Sequence, residues 1–399
     1  MTTRRNFLKV SAFLGTAASF PVHYALSQAT PATSGNPDPL FTVAHSNIRA
    51  GNPRPRVITI PDVAAPNGKQ YKVLKGDFHI HTLFSDGHVM PSARVQEALQ
   101  NGLDVISITD HIEVRPNLGN GILRLAENND DHNAAYKMAK PEADRNNLIL
   151  IQGTEITKRV MPPGHFNAIF IKDANAIAEV VDDWKAMLAV ATDQGGFVFW
   201  NHPGWVAPTS GGLERGVPMS FTDEHEDVRK KGHLHGIEIF NGSSHYPIVG
   251  DWCNELNLGP VTVSDVHTSE LQMYGLQNPR RPITLILAED RTEAAVREAF
   301  FAHRTVGWVA DMILGKPEWV EKLFTACTDV TSGAGSVTVK NKSDIPMDLK
   351  VGATAYELKP QGEVNFSYRN GDKLEITNWL VGTYKPLTAT LTNGAWHFG

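Results

Sequence analysis

From Tyr71 to about residue 310 the chain alternates short apolar runs with helical patterns, and polar, chemistry-bearing residues follow directly after the apolar runs. After a first strand that ends in His79 and His81, runs at 105–108, 148–151, 166–171, 197–200, 236–240, 261–263 and 283–287 read as strands. Helical patterns lie between several of them. One begins near Pro91, shows Val95, Ala98 and Leu99 on one face and stops before Gly102; others cover about 174–192 and 291–303. About eight strands interleaved mainly with helices predict an α/β fold with a parallel sheet, closed rather than open. In a closed sheet the C-terminal strand ends gather at one mouth, where residues distant in sequence become neighbours.

The residues at those ends are His79, His81, Asp86, His111, Glu155, His165, His202, Asp265 and His267. His79 and His81 lie one residue apart on a strand, so both side chains point to one side. Six imidazoles and three carboxylates with no nearby cysteine suit Zn²⁺, Mn²⁺ or Fe²⁺, and nine ligands are too many for one ion. The pattern predicts two or three divalent metals.

The chain has 399 residues, enough for one large domain and a smaller one. A composition of 41% hydrophobic and 20% charged residues is that of a globular protein with a sizeable core. Arg4, Arg5 and Lys9 precede an uncharged apolar stretch at 10–20 and small residues at 25–29, the pattern of a secretory signal of the twin-arginine type. Eleven apolar residues fall short of the roughly 20 that span a bilayer. Residues 1–29 are thus expected to direct export, to the periplasm, and the mature chain is expected to have no membrane span. Without them the chain carries 34 basic against 43 acidic residues, which argues against bulk nucleic-acid binding. An anionic substrate would need a local positive centre. Cys253 and Cys327 are the two cysteines, free or paired, and cannot build a metal site.

Residues 30–70, rich in Pro, Gly, Asn and Ser, read as a linker with one strand at about 56–60. The barrel is expected over 71–315, a connecting helix over 316–332 and a small all-β domain over 333–399. In the last, Val337, Val339, Leu349, Val351, Val364, Phe366, Tyr368, Leu374 and Ile376 alternate with polar residues, and Asn370-Gly371 and Asn393-Gly394 are hairpin signals.

The successive motifs DFHIHTLFSDG, ITDH, GTE, GHFN, NHPGW and SDVH, over about residues 75–310, resemble those of the PHP (polymerase and histidinol phosphatase) family. The resemblance implies a distorted (β/α)7 TIM-like barrel with a trinuclear metal site. By that resemblance His79, His81, Glu155 and Asp265 hold one metal; Glu155 bridges to a second held by His165 and His202; Asp86, His111 and His267 hold a third. The implied activity is phosphoester hydrolysis by a metal-bridging hydroxide on a small phosphorylated substrate, with Asp265 at the catalytic centre. Clustered divalent ions lower the pKa of water toward neutrality and neutralise a phosphate ester, so an acidic protein can bind an anion. Export in a folded state by the twin-arginine route suits a protein that carries its metals.

Asp110 is a candidate to orient an imidazole. Arg115, Lys158, Arg159, Arg280 and Arg281 lie in loops near the motifs, as phosphate clamps or solvated charges. His88, His233, His235 and His245 are further histidines, of which His245, just after a strand, is the candidate general acid. Two other functions fit the pattern: hydrolysis of a non-phosphate bond, and a non-catalytic metal-containing binding protein. Oligomeric state is not encoded in any feature of the sequence.

Overall fold

A computed structural model describes residues 57–66, 68–114, 131–157, 163–204, 219–274, 281–333, 335–369, 371–392 and 394–399. All of them fall in one compact unit, Pro53–Gly399. The proposed signal segment and most of the linker, with Arg115, Lys158, Arg159 and Arg280, lie outside the described residues.

The fold is mixed α/β. Gln70–Asp77 pairs in parallel with Val105–Ile108, which pairs in parallel with Ile149–Ile156. Phe166–Ile169 is antiparallel to both of its neighbours, Ile149–Ile156 and Phe197–Trp200. The expectation of an all-parallel sheet is corrected here. Among the described residues no helix intervenes between Ile149–Ile156 and Phe166–Ile169, and a connection without a crossover returns antiparallel. The order then continues in parallel through Gly236–Asn241 to Gly259–Val263. These strands are buried along their whole length, which explains why they read as continuous apolar runs.

No continuous ladder closes the sheet. Its first and last parallel strands meet just beyond their ends, through a bridge between Ile80 and Val266. There His81 N donates to Val266 O at 3.1 Å and Asp265 N donates to His79 O at 3.0 Å. Two of the sequence motifs are thereby laced side by side.

Helix Pro91–Gln100 starts with proline in its first turn, where no N–H is needed, and Gly102 beyond it takes a φ of 72°. The helix expected at about 174–192 is two helices, Ala174–Ala178 and Trp184–Asp193. Asp183 causes the break, because its carboxylate accepts from Lys185 N and Ala186 N and so begins a new helix. In the N-terminal segment the strand is Val63–Ala64 rather than 56–60, and Asp344 accepts from Thr59 N.

The sheet runs on past residue 315. Met312–Gly315 pairs in parallel with Lys373–Leu380, and Met347–Val351, Thr354–Leu358, Pro386–Thr392 and Ala395–Phe398 extend the same sheet. Thr328–Gly333, Ser336–Asn341 and Glu363–Ser367 make a separate three-stranded sheet. Helix Pro317–Cys327 buries Trp319, Val320, Leu323 and Phe324 in one apolar cluster with Val73, Leu285, Leu349 and Trp379. Gly394 turns a true hairpin, between Pro386–Thr392 and Ala395–Phe398. The other hairpin signal does not join a pair: Glu363–Ser367 and Lys373–Leu380, on either side of Gly371, belong to different sheets.

Among the described residues no helix is long and apolar enough to cross a membrane.

Candidate metal centre

All nine residues singled out by the sequence converge on one cleft or its floor. His79, His81 and Glu155 are wholly buried, whereas Asp86 keeps 41% of its side chain exposed at the mouth. His79 Nε2 lies 3.0 Å from His81 Nε2, 3.1 Å from Glu155 Oε2 and 3.2 Å from Asp265 Oδ1. His81 Nε2 lies 3.2 Å from that Glu155 oxygen and 3.1 Å from that Asp265 oxygen. Four ligand atoms thus face one another.

The tautomers follow from the outer contacts. His79 Nδ1 lies 2.7 Å from Glu238 Oε1 and must donate to that carboxylate, which leaves a lone pair on Nε2. His81 Nδ1 lies 3.3 Å from Ser85 Oγ, whose own hydrogen goes to Asp110 Oδ1 at 2.6 Å. The His81 Nε2 lone pair therefore also points inward. Two nitrogen lone pairs 3.0 Å apart, each with two carboxylate oxygens 3.1–3.2 Å away, repel these neighbours unless a cation or protons lie between them. Asp265 Oδ1 is buried there with no hydrogen-bond partner. Metal bonds of about 2.1 Å put neighbouring ligand atoms about 3.0 Å apart in octahedral and about 3.4 Å in tetrahedral geometry, so the residues present fit a divalent ion.

Glu155 carries the cluster onward. Its Oε1 lies 2.8 Å from His165 Nδ1 and 3.7 Å from His202 Nε2, and accepts from Asn201 Nδ2 at 3.0 Å. At the mouth, Asp86 lies 3.3 Å from His267 Nε2, 3.4 Å from His111 Nε2 and 3.6 Å from His81 Nδ1. The ligand-capable groups are His79, His81 and Glu155; Glu155, His165 and His202; His81, Asp86, His111 and His267; and His79, His202 and Asp265. His79, His81 and His202 each join more groups than the resemblance implied.

In the metal-free protein these groups share protons. Burial opposes charge on His79, but Asp265, Glu155 and Glu238 overcome it and raise its pKa well above the ordinary value. Burial likewise acts to raise Glu155 and Asp265; His111 and His79 beside the first, and His79 and His81 beside the second, hold both well below the usual carboxylate range. His202 and Asp265 have φ of 27° and 51°, a left-handed backbone that is costly for non-glycine residues and recurs at functional sites.

The motif residues around the ligands have structural tasks. Asp110 accepts from Thr82 N at 2.7 Å and from Ser85 Oγ, so it orients His81 through Ser85 rather than its neighbour His111. Asn167 and Asn201 bond each other, and Asn167 Nδ2 donates to Phe78 O. A Cβ on Gly87 would lie 2.6 Å from the His81 carbonyl carbon, so only glycine lets the 82–87 loop fold back on the ligand strand. Arg281 is wholly buried, 2.6 Å from Asp77, and is no substrate clamp.

His245 does not line the cleft. Strand alternation directs Ser244 and Tyr246 into it, while the His245 ring stacks on Phe240 on the far side. The expected general acid is corrected accordingly. Glu238, Arg94 and Tyr246 were not singled out by the sequence. Glu238 lies inside a strand whose register shifts between Glu238 and Phe240, so the side it faces does not follow from simple alternation. Arg94 is wholly buried and donates to the carbonyls of His81, Val266, His267 and Thr268 at 2.8–3.0 Å, tying together the two segments that carry ligands. No spacing in the sequence announces that role.

The cleft has a volume of about 430 Å³, the scale of a small-molecule site. No protein-family model and no curated protein matches the chain. Solved structures do. A two-domain protein from Bacteroides vulgatus, containing a predicted PHP-like metal-dependent phosphoesterase, is 31% identical with a TM-score of 0.75, and the match covers 85% of this chain and 98% of that one. A protein from Bifidobacterium adolescentis, assigned as a metal-dependent phosphoesterase, is 18% identical over 57% of this chain and 96% of its own, with a TM-score of 0.36. An amidohydrolase from Chromobacterium violaceum, with bound sulfate and no metal, is 14% identical over 56% and 96%, with a TM-score of 0.37. The last two superpose too loosely to bear on the fold. With 31% identity along nearly the whole of the Bacteroides protein and a convergent set of nine ligand-type residues, the chain belongs to the PHP-like family of predicted metal-dependent phosphoesterases.

Proposed function

We propose that the protein is an exported hydrolase of small phosphate esters that works with two or three divalent ions. The observation that carries this reading is that His79 Nε2 and His81 Nε2 lie 3.0 Å apart and that Glu155 Oε2 and Asp265 Oδ1 each lie 3.1–3.2 Å from both, with both imidazole tautomers set from outside. His79, His81, Glu155 and Asp265 would hold one ion, Glu155, His165 and His202 a second, and Asp86, His111 and His267 a third. Divalent ions so held supply Lewis-acid charge to a phosphoryl group and make a nucleophile available from water near neutral pH.

The chain's own residues do the rest. Glu238 and the Ser85–Asp110 pair fix the imidazoles, so no reorganisation accompanies binding. Asn241 Nδ2 donates to Asp265 Oδ2 and to Glu238 Oε2, holding the Asp265 carboxylate in place. Arg94 keeps the His81 and His267 segments in register. The Ile80–Val266 bridge supports a curled sheet of the distorted (β/α)7 kind over 71–315; the connecting segment expected over 316–332 is a helix only to Cys327, and the β region begins with the strand Thr328–Gly333. The paired arginines and short apolar stretch at the N-terminus support export by the twin-arginine route.

The test is hydrolysis of a panel of phosphomonoesters and phosphodiesters by the purified protein. Turnover that disappears with a chelator and returns on adding Zn²⁺ or Mn²⁺ is expected. A folded, metal-loaded protein inert toward the whole panel contradicts the reading, and turnover of amides or lactones alone redirects it to a non-phosphate bond.

A further inference from the structure

One wall of the cleft is the hairpin that pairs Asn241 with Ser244 and Phe240 with His245, followed by Tyr246. The polar groups lining the cleft, ligands apart, are Thr157, Asn241, Ser244 and Tyr246. Two of these four are already committed. Thr157 Oγ1 lies 2.5 Å from His111 Nδ1, and the Asn241 amide donates to Glu238 and Asp265. Among the described residues that leaves Ser244 and Tyr246 to face a substrate.

Tyr246 is held rigidly. Its backbone N donates to Ile239 O at 3.0 Å, and only 7% of the residue is exposed. A Cβ on Gly204 would lie 2.8 Å from Tyr246 Cε1, so the glycine of the NHPG turn is what admits the phenol ring beside His202. The segment after it is clamped by the C-terminal strands: Thr383 N donates to Asp251 Oδ1, Thr383 Oγ1 to Pro247 O, and Asn254 Nδ2 to Val381 O, at 3.0–3.2 Å. Ser244, two residues before Tyr246 on the same hairpin, lines the same cleft. A phenol is protonated at neutral pH, so Tyr246 offers the cleft a neutral donor.

We propose that Tyr246, with Ser244 beside it on the same hairpin, is the substrate-orienting donor of this site, hydrogen-bonding a phosphoryl oxygen of the ester. A fixed neutral donor adds affinity and orientation for an anion already neutralised by cations, without a further charge to desolvate. The C-terminal β region then has a task in the chemistry: its 381–385 loop braces the wall that carries the donor. The inference rests on the phosphoesterase reading.

Tyr246→Phe keeps the ring against Gly204 and removes only the hydroxyl. The experiment is calorimetric titration of the metal-loaded protein with inorganic phosphate, alongside kcat and KM for a phosphomonoester and metal content by mass spectrometry. The expected result is unchanged metal content with phosphate Kd weakened about 10-fold, as for loss of one hydrogen bond to a charged group. Ser244→Ala, at an exposed position, weakens it about 3-fold and serves where the first variant folds poorly. An unchanged phosphate Kd in both variants overturns the proposal while leaving the phosphoesterase reading intact. Loss of metal in Tyr246→Phe also overturns it, because the phenol would then act through the metal ligands. Wild-type protein that neither binds phosphate nor turns over the ester overturns both.

Discussion

Glu238 Oε1 lies 2.7 Å from His79 Nδ1, with both side chains wholly buried beneath the ligand cluster. The other Glu238 oxygen accepts from His202 N and from Asn241 Nδ2. One carboxylate thus orients an imidazole of the first ligand group, shapes the turn that carries a ligand of the second, and reaches Asp265 through Asn241.

Glu238→Ala is expected to weaken metal binding about 10–100-fold, the usual consequence of removing a carboxylate that orients a ligating histidine. Titrating the metal-stripped variant with Zn²⁺ or Mn²⁺ checks this. Wild-type affinity would show that His79 is oriented by other contacts.

The wholly buried Arg94 gives its guanidinium to four backbone carbonyls and to the partly exposed Glu97. Arg94→Met takes one donor from each of those carbonyls, although Val266 O keeps His81 N and His267 O keeps His88 N, and removes the ion-pair partner of Glu97. A loss of about 3–5 kcal/mol is expected, read as a shift of the denaturation midpoint in urea.

His225 gives a pH dependence that is separate from the metal ligands. Burial pushes its pKa down to about 4, although its contact with Pro163 O at 2.8 Å acts to raise it. The folded pKa lies below the unfolded value of about 6.5, so the unfolded chain takes up the proton first. Stability from this group is therefore full above about pH 6.5 and declines as pH falls toward 4, by about 2 kcal/mol at pH 5. His225→Phe cannot titrate, and its stability deficit relative to wild type should shrink by about that amount between pH 7.5 and pH 5. A constant deficit would count against a neutral buried His225.

The C-terminal strands and the ligand-bearing sheet share one apolar cluster, in which Trp379 and Phe324 pack edge to face with centroids 5.6 Å apart. A chain ending at residue 327 would expose Trp319, Val320, Leu323 and Phe324. Denaturant unfolding of the full chain is expected to show one transition, followed by tryptophan fluorescence and by circular dichroism together. Two separated transitions would mean that the halves fold independently.

What the sequence made legible was the set of groups that must meet ions directly. His79 and His81 are announced by strand alternation, and Asp86, His111, Glu155, His165, His202, Asp265 and His267 by their position after apolar runs. Buried strands such as Phe197–Trp200 were equally plain, because a run covered on both faces has no polar interruption. Residues that act through others were not legible. Glu238 serves His79 from 159 positions away and Arg94 serves Val266 from 172, so their tasks exist only once the chain has folded. His245 was misread because a histidine after a strand looks functional, whereas the pleat turns its neighbours Ser244 and Tyr246 into the cleft. The antiparallel strand Phe166–Ile169 was misread because its composition is that of its parallel neighbours; direction is set by the connection.

The most direct measurement is anomalous X-ray diffraction from crystals of the protein loaded with Zn²⁺ or Mn²⁺. The account predicts an anomalous peak among His79 Nε2, His81 Nε2, Glu155 Oε2 and Asp265 Oδ1, about 2.0–2.2 Å from its ligands, with further density beside His165 and His202 or beside Asp86, His111 and His267. A fully loaded crystal with no anomalous density among those four atoms would contradict it.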